Sequence, residues 1–181
     1  MTVTVGFPVP DFCQPVTNGG RNLQRLTVQD NDDNRLPEQA DREEVVLSAL
    51  RGRHIVLYFY PKDSTPGCTL EGQQFRDRMD NFTAEKCMIF GVSRDTLKSH
   101  EKFKAAQCFP FDLISDENEA LCQLFDVIKT KNMYGKQVQG IERSTFLIDK
   151  DGVLRREWRK VKVEGHADAV LLAVRQLNQS P

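Results

Sequence analysis

The chain has 181 residues and a formal net charge of -1, with 39% apolar and 28% charged residues; this balance excludes a disordered or membrane-embedded chain and predicts one domain over residues 1–181, its core closed without disulfide staples. A near-neutral charge leaves no basic stripe, so nucleic acid is excluded as a partner. No run approaches the roughly 18 apolar residues of a spanning helix, and the start MTVTVGFPVPDF has neither a basic head nor an apolar signal core, so a cytoplasmic protein with no membrane partner is expected.

Residues 28–45 (VQDNDDNRLPEQADREEV) are polar and acidic and read as an exposed insertion ahead of the core. His54 to Tyr60 (HIVLYFY) is a short apolar run rich in β-branched and aromatic residues, the pattern of a strand buried on both faces. Pro61 ends it, KDSTPG supplies turn formers, and a helix is predicted from Cys68 to Phe82, with Leu70, Phe75, Met79 and Phe82 on its buried side. A second buried strand follows at Cys87 to Val92, then a cap at Ser93 to Asp95 and a helix at Thr96 to Gln107. Phe111 to Ile114 reads as a short strand, Asn118 to Phe125 as a helix, and Lys129 to Gly140 as a polar connector. Ser144 to Asp149 and Val153 to Trp158 form a hairpin about Asp151-Gly152. The last helix runs from His166 to Asn178, with Ala167, Val170, Leu171, Val174 and Leu177 on one side. Strands alternating with helices, closed by one late hairpin, predict a three-layer α/β fold with a central mixed sheet flanked by helices.

The five cysteines (Cys13, Cys68, Cys87, Cys108, Cys122) are odd in number and form no Cys-x-x-Cys or zinc-binding spacing, so neither a disulfide scaffold nor a structural metal is expected. Cys68 stands apart because it falls in the first turn of a helix. A thiol acts as a nucleophile when its thiolate is favoured by a helix amino terminus, by cations or by hydrogen-bond donors. Thr65, three residues earlier, carries a hydroxyl for the same space, Pro66-Gly67 leaves backbone N–H groups free to point there, and Pro61 adds a rigid apolar wall. These local features leave two readings open: a nucleophile, or a buried cysteine in an ordinary strand-to-helix turn.

The stretch FYPKDSTPGCTLEGQQF resembles the active-site segment of the peroxiredoxins, whose Pro-x-x-x-Thr-x-x-Cys signature falls on Pro61, Thr65 and Cys68. VPDF, LSALRGRHIVLYFYPKD, GVSRDTLKSHEKF, ERSTFLIDKDG and WRKVKVEGHADAVL resemble, in order, segments of the bacterioferritin comigratory protein or peroxiredoxin Q subfamily. The resemblance covers most of the chain outside the acidic insertion. It implies a thioredoxin-like fold and a thiol-dependent peroxidase acting on hydrogen peroxide or organic hydroperoxides. It also implies a thiol reductant such as thioredoxin, glutaredoxin or glutathione, no metal, flavin or nucleotide cofactor, and a monomer. Arg143, otherwise an ordinary solvent-facing charge, matches the family's active-site arginine.

Many members of the subfamily carry a second cysteine five residues after the first; that position is Gln73. Others place it in the segment corresponding to SHEKFKAAQ, which has none, and Cys108 lies just past its end. We therefore expect an external thiol to regenerate Cys68, with Cys108 as the candidate for an intramolecular resolving partner. Cys87 and Cys122 read as core cysteines, and Cys13 takes no assignment. His54, His100 and His166 read as structural or solvated, and Arg155, Arg156, Arg159, Lys160 and Lys162, interrupted by Glu157, as a solvated face. Two other functions compete: a disulfide-exchange protein, which normally wants Cys-x-x-Cys where this chain has Glu71, and a non-catalytic binding or chaperone module, which the intact Pro61, Thr65, Cys68 and Arg143 disfavour. A cysteine phosphatase would want an arginine at Gln74.

Overall fold

The computed structural model describes residues 2–17 and 44–180. Residues 28–43 of the expected insertion lie outside the described residues. Its last two, Glu44 and Val45, belong instead to a strand, because Val45 is apolar enough to reach the core. In chain order the elements are β1 (Cys13–Pro15) and β2 (Glu44–Val46), a 3-10 turn (Leu47–Leu50), β3 (His54–Phe59), α1 (Pro66–Asp77), α2 (Met79–Ala84), β4 (Cys87–Ser93), α3 (Leu97–Gln107) and β5 (Asp112–Ser115). They continue with α4 (Ala120–Leu124), β6 (Ile128–Met133), β7 (Lys136–Ile141), β8 (Ser144–Ile148), β9 (Leu154–Trp158) and α5 (His166–Gln179).

The main sheet has the order β5-β4-β3-β8-β9, parallel from β3 to β5 and antiparallel from β3 to β9. This is the expected mixed sheet, with the continuous apolar run of β3 in the centre. Because side chains alternate along a strand, Ile55, Leu57 and Phe59 enter one core with the amino-terminal segment and α4, while Val56 and Tyr58 enter the other with α1, α2, α3 and α5. Helices thus cover both faces in a thioredoxin-like three-layer arrangement. Arg155, Arg156, Lys160 and Lys162 are exposed, as expected of a solvated face, whereas Arg159 is half-buried and donates to the Phe125 and Asp126 carbonyls.

Three details depart from the sequence reading. The helix expected from Cys68 to Phe82 is broken at Arg78, whose guanidinium donates to both carboxylate oxygens of Asp168 on α5 and to the Gln74 carbonyl. Leu70 is exposed, because the buried stripe of α1 runs through Cys68, Glu71, Gly72 and Phe75, the i, i+3, i+4, i+7 set. The connector at 129–140 is a two-stranded antiparallel hairpin, β6 to β7. Its turn residues, Tyr134 and Gly135, both have positive φ (53° and 76°), as a two-residue hairpin turn of this hand requires. The signal was faint because the first turn residue is Tyr rather than Asn or Asp, and because the strands are polar on both faces.

Gly72 is where α1 meets the segment following α3. A Cβ built there would lie 2.3 Å from Cζ of Phe109, and that ring is stacked on Phe111 and edge-on to Phe103, so it has nowhere to retreat. Gly72→Ala is expected to cost about 1–3 kcal/mol through overpacking, read as a lower midpoint in urea unfolding with an unchanged slope.

Candidate active site

Cys68 is the third residue of α1, behind Thr65 as N-cap and Pro66 at the first helical position. Pro66 has no N–H, and the first main-chain bond of the helix is Thr69 N–H to the Thr65 carbonyl. The N–H groups of Gly67 and Cys68 therefore have no intrahelical acceptor and present the positive end of the helix dipole to the space before it. Cys68 is 2% exposed. Pro61 opens the loop that leads from β3 to this helix, and the Thr65 hydroxyl donates to the Lys62 carbonyl at 2.9 Å, tightening that loop.

Arg143 immediately precedes β8, beside β3 in the sheet. Its Nη2 donates to Cys68 Sγ at 3.4 Å and its Nη1 to Glu71 Oε1 at 2.8 Å. The same guanidinium lies against Gly67, where an added Cβ would be 3.2 Å from Nη2. A residue read as an ordinary surface charge but for the resemblance is thus mostly buried on the thiol. The arrangement can hold a thiolate and offer a cation to an oxygen taking up charge beside it.

Glu71 was weighed in the sequence only as the position where a second cysteine is missing. It is fully buried one turn after Cys68, and that i+3 spacing from the candidate nucleophile was the available signal. Burial pushes its carboxyl up to about 7, against the charge and hydrogen bond of Arg143, which pull it down. Its Oε2 and the Tyr58 hydroxyl are buried without a hydrogen-bond partner among the described residues. The Tyr58 hydroxyl is held neutral by burial, then by Glu71 and Cys68.

The other cysteines separate by environment. Cys87 and Cys122 are buried core residues, as expected, and burial pushes both thiols far up. Cys13 and Cys108 are exposed. Cys108 caps α3 in the left-handed region (φ 54°, ψ 43°), a conformation that favours glycine. Its neighbours pack on α1: Gln107 is bonded by Gln73 and Arg76, and Phe109 covers Gly72. Gln73 is five residues past Cys68, roughly 7.5 Å along the helix axis; Cys68 and Cys108 are both free thiols, the first buried and the second exposed.

All three histidines are buried and none is solvated. His54 Nε2 is 2.7 Å from Asn178 Oδ1, and His166 Nε2 2.7 Å from the Thr145 hydroxyl. Burial and then Arg143 lower His166 to about 4, so it is neutral at pH 7. His100 belongs to a cluster with Asp63 and Asp95 whose atoms lie within 4.8 Å of one another. Those residue types suit a metal, but the Asp63 oxygens and Asp95 Oδ2 already accept bonds from Tyr60, Ser93, Ser99 and the Asp63 N–H, and Asp63 Oδ2 lies 2.7 Å from His100 Nδ1.

A cysteine at the amino terminus of a helix on a thioredoxin-like sheet, with a guanidinium on its sulfur, defines a thiol-based oxidoreductase. The AhpC/TSA family model matches residues 5–157, and the chain belongs to this family, the peroxiredoxins. It is 58% identical over 132 residues to the peroxiredoxin Bcp of Xanthomonas campestris pv. campestris, covering 73% of this chain and 82% of that one. It is 44% identical to the putative peroxiredoxin bcp of Coxiella burnetii, covering 94% of this chain and 98% of that one. Solved structures agree. The Xanthomonas campestris bacterioferritin comigratory protein, described for its alkyl peroxide reduction activity, superimposes with a TM-score of 0.71 at 57% identity, over 74% of this chain and 85% of that one. The peroxidoxin BcpB of Mycobacterium tuberculosis gives 0.72 at 28% identity, over 96% and 97%. The chain is a thiol-dependent peroxidase of the Bcp or peroxiredoxin Q subfamily, with a peroxide as substrate and a thiol as reductant.

Proposed function

We propose that Cys68 is the peroxidatic nucleophile of a single-domain, monomeric, cytoplasmic enzyme that reduces hydrogen peroxide and organic hydroperoxides. The observation that carries this assignment is the Arg143 guanidinium 3.4 Å from the Cys68 sulfur at the start of α1. The Cys68 thiolate attacks the terminal, hydrogen-bearing oxygen of the peroxide, an S–O bond forms as the O–O bond breaks to give the sulfenic acid, and the leaving alkoxide takes the electron pair and then a proton, departing as an alcohol, or as water from hydrogen peroxide. Arg143 and the free N–H groups of the first turn stabilise the charge moving onto the leaving oxygen, Pro61 walls the site, and Thr65 offers its hydroxyl oxygen to the peroxide. An alkyl hydroperoxide is included among the substrates because the Xanthomonas relative is described as reducing alkyl peroxides.

The sulfenic acid condenses with one external thiol, releasing water, and a second thiol frees Cys68 and leaves as a disulfide. Thioredoxin, glutaredoxin and glutathione fit this role. A route through Cys108 is favoured by one observation: the residue is exposed and holds a strained left-handed cap at the end of α3. Cys68 is buried in the first turn of α1 and Cys108 is exposed beyond α3, so that route runs through local opening at the start of α1 or the end of α3. Intact mass after one equivalent of peroxide and a sulfenic-acid trap tests both routes. A trapped adduct on the parent, absent in Cys68→Ser, is expected for external resolution. Loss of two hydrogens in the parent, with trapping only in Cys108→Ser, would establish Cys108 as the resolving residue.

A further inference from the structure

We propose that Asp63 and His100 form a buried ion pair that positions the Pro61–Thr65 loop for peroxide by anchoring it to α3, a reading that rests on the assignment of Cys68 and this loop as the peroxide site. Asp63 lies in the middle of the loop, yet only 3% of its side chain is exposed, and His100 on α3 is fully buried. Asp63 Oδ1 accepts from the Tyr60 hydroxyl at 2.6 Å. Its Oδ2 accepts from the Ser99 hydroxyl at 2.8 Å and faces His100 Nδ1 at 2.7 Å. The Asp63 N–H donates to Asp95 Oδ2 at 3.0 Å.

The hydrogen-bond pattern sets the charges. His100 Nε2 is 3.0 Å from the Ile114 carbonyl oxygen, which can only accept, so Nε2 carries a proton. Nδ1 faces a carboxylate that already accepts from two hydroxyls, so the short contact is a donation from Nδ1 and the ring holds both protons. Ser99 and His100 lie in the first turn of α3, where the helix dipole also favours an anion at Asp63. The result is an imidazolium paired with a carboxylate, linking the loop to α3 and, through the Ile114 carbonyl, to β5.

A buried pair of this kind adds little net stability compared with apolar packing; its effect is directional. The next residue, Ser64, has φ 63°, a left-handed conformation unusual for a residue with a side chain. Such a conformation persists only where its flanks are fixed. Asp63 is fixed on one side by four hydrogen bonds, and Thr65 on the other by its bond to Lys62 and its place as N-cap of α1. The pair therefore sets the path of the chain that delivers Thr65 one turn ahead of Cys68. Asp63 and His100 are positioning residues that act through the loop.

The test compares rates of the reduced protein with tert-butyl hydroperoxide and with iodoacetamide, which needs the thiolate but not the peroxide geometry, in the parent, Asp63→Asn and His100→Gln, with Cys68→Ser as blank. Both variants are expected to lose about 10- to 100-fold in the peroxide rate while alkylation stays near the parent's. The imidazole proton–nitrogen spectrum of the parent is expected to show both His100 nitrogens protonated. Equal losses in both rates, an unchanged peroxide rate, or one protonated nitrogen would overturn the proposal. If a pair variant does not fold, Ser99→Ala, which removes one donor to Asp63 Oδ2, takes its place: a selective fall in the peroxide rate supports the proposal and an unchanged ratio of rates overturns it. A parent no faster with peroxide than Cys68→Ser would overturn the assignment of Cys68 and this proposal with it, whereas a fast parent with unaffected variants overturns this proposal alone.

Discussion

Cys68→Ser is expected to lower the rate of peroxide consumption to that of the blank, a loss on the order of 10⁴-fold or more, because an alcohol in the same place does not supply the anionic nucleophile. No other cysteine can take over at a comparable rate. Cys87 and Cys122 are buried, with thiols pushed far above their ordinary range, and the Arg143 guanidinium is engaged by Cys68 and Glu71, while Cys13 and Cys108 are exposed. The substitution is nearly isosteric, so thermal unfolding should move little. Stopped-flow consumption of hydrogen peroxide by the reduced protein, with circular dichroism melting alongside, measures both quantities. Retention of the parent's rate would remove Cys68 from the mechanism.

Arg143→Ala is expected to have the next largest effect, about 10²- to 10³-fold in the rate with peroxide, the usual cost of removing one donor aimed at developing charge. It has a second consequence, in stability. Arg143 is the group that lowers the Glu71 carboxyl, so without it burial acts unopposed and drives the value above the parent's, about 7. A carboxyl raised in the folded state keeps a proton that the unfolded chain has released. Its stabilising contribution is therefore complete below the ordinary value of 4.5 and is lost as pH rises through the folded value. In the variant this loss extends further to the alkaline side, where an ionised Glu71 would be buried without a partner. Denaturant unfolding should show the variant near the parent on the acid side and weaker by about 1–3 kcal/mol above neutrality. Adding Glu71→Gln to Arg143→Ala should flatten that pH dependence; if it persists, another group is its source.

The parts of the fold that were legible were those specified by neighbours in the chain. The apolar run at His54–Phe59, the periodic stripe of α5 and the turn formers ahead of Cys68 each carry their own period or punctuation, and the elements formed where expected. What was missed involved partners far away in the chain. The break between α1 and α2 contains neither Gly nor Pro and is tied by Arg78 to Asp168, 90 positions on. The β6–β7 hairpin has no apolar face to betray it.

The candidate site divides in the same way. From the sequence alone came the helix amino terminus under Cys68, the loop from Pro61 to Thr65 and the family, because a signature and its flanking segments are local and ordered. Arg143 was named by resemblance alone, since one arginine looks like another until its burial is known. Only the tertiary structure decided that Arg143 reaches Cys68 across 75 positions, that Glu71 shares its guanidinium, and that Asp63 pairs with His100 across 37. The physical reason is that the strength of a charge or hydrogen bond depends on how far water is excluded and on the distance to its partner, and both are properties of the packed fold rather than of any stretch of chain.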